Sequence, residues 1–152
     1  AETRRSKRNE KVLLDRGAQE FGRRHYPIMV ALHGSWLGAC AAEAWWLVKA
    51  PPELVLALPA LLALVLGQTL RLLAMRALGE RWTTRVLVLP DAPLVASGIF
   101  RLFRHPNYIG VVLEIAALPL VFGAWRTAVV YSLANALLLR HRMAVEEEAL
   151  GG

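Results

Sequence analysis

Four apolar stretches, residues 27–48, 54–75, 107–122 and 125–139, leave this chain few ways to fold. A bilayer's hydrocarbon core, roughly 30 Å thick, takes about 20 helical residues to cross, so each stretch is a candidate span. With 56% hydrophobic and only 20% charged residues in a chain of 152, the composition is too apolar for an ordinary soluble domain. The expectation is an all-α integral membrane protein with about four transmembrane helices in a single domain. The last two stretches are short, and Pro119 and Gly123 break the apolar run between them, so two short crossings are expected rather than one helix with a re-entrant partner. The links Ala50-Pro51-Pro52-Glu53 and Gly123-Ala124-Trp125-Arg126 are stiff or turn-forming and set the helices up as hairpins.

Charge gives the direction of the spans. Of the 18 Lys and Arg residues, all except Lys49 and Arg126 fall before the first stretch, around the central loop, or after the last. By the positive-inside rule both termini and the central loop are cytoplasmic. The net charge of +6 is then a topology signal, and nucleic acid is not an expected partner, because the basic stretches lack interleaved aromatic residues. Residues 1–26 form a charged cytoplasmic segment with no apolar core, so no cleavable signal peptide is expected. Within it, residues 9–26 carry Val12, Leu13, Leu14 and Phe21 among basic residues and read as an interfacial amphipathic helix, a substrate-gating lid being the sharper alternative. The single Cys40 allows no internal disulfide, and no metal site is expected.

The central segment, 79–104, is the long polar connection, and a connection of that length is usually functional. Its stretch 82–89 is extended in character, Pro90-Asp91-Ala92-Pro93 is turn chemistry, and Leu94 to Phe100 is the expected return arm of a short β-hairpin.

Ionisable groups inside spans cost about 2.5–3.5 kcal/mol when charged, which singles out Glu43, His33 and Glu114. Glu43 stands beside Trp45 and Trp46 near the far end of its span and reads as an anchor reaching interfacial water. His33 has no second His or Cys at metal spacing and reads as a helix-to-helix hydrogen-bonding group. Glu114 is one turn beyond Gly110 and so on the same face, where it could serve as a base. Gly34 and Gly38, followed by Ala42, read as a close-packing face within the chain, with a homodimer as the alternative. Gln68 and Asn135 are helix-to-helix amides or contacts to a polar ligand. At the start of the third stretch, Pro106 follows His105, and a helix N-terminus there favours an anionic group. Glu146 and Glu147 near the end of the last helix call for a cation, either Arg140 or Arg142 or a bound sulfonium or ammonium.

The run Arg104-His105-Pro106-Asn107-Tyr108-Ile109-Gly110, followed by Arg142, Glu146, Glu147 and Leu150, resembles the isoprenylcysteine carboxyl methyltransferase and phospholipid methyltransferase superfamily. Further matches at Arg8-Asn9-Glu10, Gly17 to Gly22, His25-Tyr26, His33 and Leu78 to Thr83 are similar to a bacterial branch encoded beside type III polyketide synthases. The Gly98-Ile99-Phe100-Arg101 run departs from the Gly-Pro-Tyr-Arg of many relatives, and many continue beyond the equivalent of Gly152.

That resemblance implies a methyltransferase of the bacterial cytoplasmic membrane that uses S-adenosyl-L-methionine, without a Rossmann fold, on a lipophilic small molecule or lipidated substrate among membrane lipids. By motif position, His105, Tyr108, Gly110, Glu146 and Glu147 are assigned to the cofactor. Arg104 and Arg142 orient carboxylate or substrate oxygen, Glu114 is the candidate base, and Trp82, His33 and Asn135 are the expected substrate contacts. A membrane NADPH reductase of the sterol-reductase type, which shares the His-Pro-Asn-Tyr run, and a small proton-coupled transporter using Glu43 or Glu114 are the competing readings.

Overall fold

In the computed structural model, which describes residues 2–90 and 92–151, the chain is mostly helical. Helix α1 (Glu2–Asp15) leads into strand β1 (Gln19–Phe21), and α2 (Tyr26–Trp46) follows a short 3-10 turn. Helix α3 (Leu54–Leu78), strand β2 (Val86–Val88), α4 (Pro106–Val121) and α5 (Trp125–Ala149) complete the order. Helices α2 to α5 alternate in direction. At one end Val48 meets Gly123 and the side chain of Glu43 meets the start of α5. At the other, the starts of α2 and α4 meet the end of α5. Lys49 and Arg126 mark the first end, and the remaining Lys and Arg gather toward the second.

Among the described residues one helix, Leu54–Arg81 with its 3-10 extension, is long and apolar enough by itself to cross a membrane; Pro106–Val121 is apolar but shorter. Apolar side chains are turned outward on all four helices, among them Ile28, Leu37, Leu58, Val65, Val112, Val129 and Leu133. A contiguous apolar exterior of this kind marks a surface meant for something other than water.

Close packing is concentrated where α3 crosses α4. A Cβ on Gly110 would stand 2.7 Å from the carbonyl oxygen of Gly67, and one on Gly67 would stand 2.9 Å from that of Gly110, so the two backbones touch. Gly34 and Gly38 look onto open space instead, which corrects the expectation that their spacing marks close packing within the chain. A small-residue spacing offers a flat surface; which neighbour takes it depends on helix order.

Two other expectations are corrected. Strand β2 does pair antiparallel, but with β1 rather than with Leu94 to Phe100, in the register Gln19 to Val88 and Phe21 to Val86. Residues 98–101 form a 3-10 turn instead. Asp91 of the expected turn lies outside the described residues. The N-terminal helix ends at Asp15, and residues 19–21 are strand, so 9–26 is not one interfacial helix. Helix α1 buries Ser6, Asn9 and Leu13 against the bundle. Asn9 Nδ2 donates to the carbonyls of Gly79 (3.1 Å) and Trp82 (2.8 Å), which draws the central segment under α1. Arg85 clamps the same corner, pairing with Glu20 at 2.7 Å and lying over the Tyr26 ring.

Glu43 is buried, and does not reach interfacial water. Its carboxylate accepts the backbone N–H groups of Arg126 (3.1 Å) and Thr127 (2.7 Å) and the Thr127 hydroxyl (2.6 Å). The first turn of α5 has no side-chain cap from its own N-terminal residue, so α2 supplies one. Glu43→Ala is expected to cost about 1–2 kcal/mol, the usual cost of losing an N-cap. Thermal unfolding in detergent checks this, with Glu43→Gln expected to lose less.

Candidate functional site

The second end of the bundle gathers polar side chains from α1, α2, α4, α5 and the central segment. Pro106 opens α4 with its fixed backbone angle and no N–H to satisfy, and this sets His105 just outside the helix and Tyr108 within its first turn. Their rings stack at 5.5 Å between centroids. Opposite them, α5 continues well past the end of its apolar stretch and carries Arg142, Glu146 and Glu147 on its last turns.

His105 Nε2 stands 3.4 Å from the Glu147 carboxylate, and Arg104 is 3.4 Å from the same oxygen. The Tyr108 hydroxyl donates to Glu146 and accepts from Arg142 Nε at 3.0 Å. Arg142 is the hub. Buried to 7% exposure, it also donates to the Thr84 carbonyl at 2.6 Å and reaches the Met29 sulfur, so one guanidinium joins α2, the central segment, α4 and, through Tyr108, Glu146. The guanidinium N–H polarises the tyrosine oxygen while the tyrosine O–H gives its hydrogen bond to Glu146, a relay that is stronger than its separate links. Behind Thr84, its hydroxyl lies 3.0 Å from that of Ser6 and 3.4 Å from that of Tyr26.

The structure thus brings together Arg104, His105, Tyr108, Arg142, Glu146 and Glu147. Five other sequence candidates sit elsewhere. Gly110 faces Gly67 and Arg71 on α3, where its lack of a side chain permits helix contact rather than approach to a cofactor. Glu114 lies on that same face of α4, turned from Tyr108, and is ion-paired with Arg71, which also holds Glu2 at 2.8 Å. The carboxylate is tied to a guanidinium on α3, so the expectation of a free base beside the His-Pro loop is corrected. Trp82 is buried at 4% exposure beneath α1, and Asn135 at 1%, with its carbonyl oxygen unpartnered among the described residues. Neither is open to a substrate in this conformation. His33 bonds the Met29 carbonyl on its own helix at 2.8 Å, one turn from the sulfur that meets Arg142. Glu43 caps α5 and Glu114 is paired with Arg71, so both in-span carboxylates have partners within the bundle.

Several residues in this cluster were not singled out by spacing. Met29, Thr84 and Ser6 carry no chemical signature by themselves. Asn9 and Ser6 were legible in principle, since with Leu13 they are the uncharged stripe of an otherwise charged helix. His25 is buried beside His141, their ring centroids 5.5 Å apart. Burial pushes its pKa below the ordinary 6.5, and the nearby Arg142 and His141 charges push it further the same way, so the ring is neutral at pH 7. Gly22, in the left-handed region at φ +61°, leaves room for that ring, since a Cβ there would stand 1.9 Å from its Cε1 atom.

Two open cavities of about 330 and 370 Å³ lie away from this cluster. The first lies between Val48, Pro51, Pro52 and Phe122 at the opposite end, and the second along Gly38, Ala42, Trp45 and Trp46 on α2.

Comparison with known proteins places the cluster in a lineage. Residues 60–151 match the isoprenylcysteine carboxyl methyltransferase family. The chain is 36% identical over 145 residues to the uncharacterized protein YpbQ of Bacillus subtilis (strain 168), an alignment covering 95% of this chain and 85% of that one. It is 28% identical over 147 residues to an uncharacterized protein of Haemophilus influenzae, covering 94% and 83%. No solved structure matches.

Proposed function

The chain belongs to the isoprenylcysteine carboxyl methyltransferase family of membrane methyltransferases, and on that footing we propose that it is an S-adenosyl-L-methionine-dependent O-methyltransferase acting on a lipophilic acceptor. The carrying observation is the convergence of His105, Tyr108, Glu146 and Glu147 around buried Arg142 at one end of the bundle. The donor set suits the cofactor. Glu146 and Glu147 offer negative charge to a sulfonium or ammonium group, and exposed Arg104 beside the start of α4 offers positive charge to a carboxylate. Glu147's contacts to His105 and Arg104 are both long at 3.4 Å, so exchanging them for a ligand costs little.

Bound there, S-adenosyl-L-methionine would supply a methyl group already activated by the sulfonium. The protein's own work is alignment and exclusion of water. Arg142 directs an acceptor oxygen and stabilises its negative charge, Tyr108 fixes Arg142 relative to the acidic pair, and His105 stacks on Tyr108 to hold both. Glu114 serves to bind α4 to α3 through Arg71. In this reading α2 to α5 are four spans with cytoplasmic termini in a bacterial cytoplasmic membrane, and an acceptor's tail enters sideways between their apolar faces. The acceptor is an alkylpyrone or alkylresorcinol hydroxyl, as in the polyketide-associated branch, or an isoprenylcysteine-type carboxylate. Outward-facing Gly34 and Gly38 support a homodimer through α2.

The test is methyl transfer from labelled S-adenosyl-L-methionine to a panel of these acceptors, with donor binding measured in Glu146→Gln and Glu147→Gln. Each variant is expected to weaken donor binding at least tenfold, at about 1.4 kcal/mol per tenfold change. Unchanged donor affinity in both would remove the acidic pair from the site, and tight NADPH binding without donor binding would replace the methyltransferase reading by a reductase.

A further inference from the structure

We infer that the outer face of α1 is a binding surface for the headgroups of anionic phospholipids in the leaflet that borders it. Arg4, Lys7, Arg8 and Lys11 stand at i, i+3, i+4 and i+7 of the helix, one continuous stripe. All four are exposed, and none meets a carboxylate in a salt bridge among the described residues. The stripe lies diametrically opposite the buried Ser6, Asn9 and Leu13, so it points away from the bundle.

The height of this stripe comes from how α1 runs beside α3. Glu2 pairs with Arg71, Arg5 Nη2 donates to the Met75 carbonyl at 3.2 Å, and Asn9 Nδ2 donates to that of Gly79 at 3.1 Å. The two helices therefore climb side by side in the same direction. On α3 the exposed apolar residues end at Leu72 and Leu73, and the next exposed residue is Arg76. Hydrocarbon gives way to polar surroundings there, at the level of residues 3–6 of α1. From that level the four cations rise over seven residues, about 10 Å at 1.5 Å per residue, which spans a headgroup layer of roughly 5–8 Å. An acidic protein partner would meet only the upper part of such a stripe. Lipid phosphates meet all of it, and each basic residue near an anionic surface contributes attraction that salt weakens.

The experiment compares the full chain in phosphatidylcholine vesicles and in vesicles of equimolar phosphatidylcholine and phosphatidylglycerol, following amide hydrogen exchange along α1 and lipid retained after detergent extraction. Anionic vesicles are expected to slow exchange in α1 at least tenfold and to leave phosphatidylglycerol bound, both effects fading at high salt. A variant with Arg4, Lys7, Arg8 and Lys11 all changed to Gln should lose them, with exchange in α3 and α4 unchanged as proof of folding. A charge-matched control with Arg23, Arg24, Arg76 and Arg101 changed to Gln should keep them. Equal exchange in the two vesicle types, or a stripe variant that behaves as wild type, overturns the proposal. So does inorganic phosphate reproducing the protection in phosphatidylcholine vesicles, which would make the site one for a free anion.

Discussion

Arg142→Gln is expected to lower methyl transfer by about 10²–10³-fold, the usual loss when a preorganised donor aimed at developing charge is removed. The loss should fall mainly on kcat. Glutamine fills much of the same space but carries no charge and cannot reach three partners. In the folded chain one planar guanidinium donates to the Tyr108 oxygen at 3.0 Å and the Thr84 carbonyl at 2.6 Å while touching the Met29 sulfur. Arg142→Lys tests the fork itself, since an ammonium is a point charge that cannot hold this set of directions at once. It should recover little activity. Some stability is lost as well, because truncation strands a part-buried carbonyl and hydroxyl at about 1–3 kcal/mol for a group left unsatisfied. Thermal unfolding of each variant separates that cost from the catalytic one. Should Arg142→Lys turn over at the wild-type rate in the folded protein, Arg142 only supplies charge, and the geometric argument fails.

The uneven legibility of this chain follows from what each signal measures. Hydropathy reports where apolar runs begin and end, so the boundaries of α2, α3 and α4 were readable to within a residue or a few. It says nothing about where a helix stops once it has left the apolar run, and α5 continues to Ala149, carrying Arg142, Glu146 and Glu147 back toward α4. The motif residues 104–108 and 142–147 were identifiable because their resemblance to a family spans both pieces, and the fold brings the two pieces into contact. Roles that depend on which neighbour a helix face meets were not readable. Glu43 became a cap because Thr127 lies opposite it, Glu114 became half of an ion pair because Arg71 does, and Trp82 was buried because Asn9 ties its carbonyl beneath α1. A short strand such as β2 has the same ambiguity: its extended character was visible, but its partner lay across the whole length of α2 and α3. Pairing between segments that distant leaves no local trace.

The contact between α3 and α4 gives the second large effect. Gly110→Ala is expected to lower stability by about 1–3 kcal/mol, the usual cost of overpacking a tight interface, and Gly67→Ala by a similar amount. A Cβ at 110 would lie 2.5 Å from the Arg71 side chain and 2.7 Å from the Gly67 carbonyl oxygen. The arginine can move; the backbone oxygen cannot, unless the helices separate. Separation would stretch the Arg71–Glu114 pair and, through Arg71, loosen the hold on Glu2. Gly34→Ala and Gly38→Ala are the controls, because among the described residues nothing lies within 4 Å of a Cβ at either site. Alanine's better helix propensity should leave them neutral or more stable by up to about 1 kcal/mol. Thermal unfolding of all four variants in one detergent makes the comparison. If Gly110 instead lined a cofactor pocket, Gly110→Ala would cut donor affinity while keeping the wild-type melting temperature, and the packing role given to it here would be wrong.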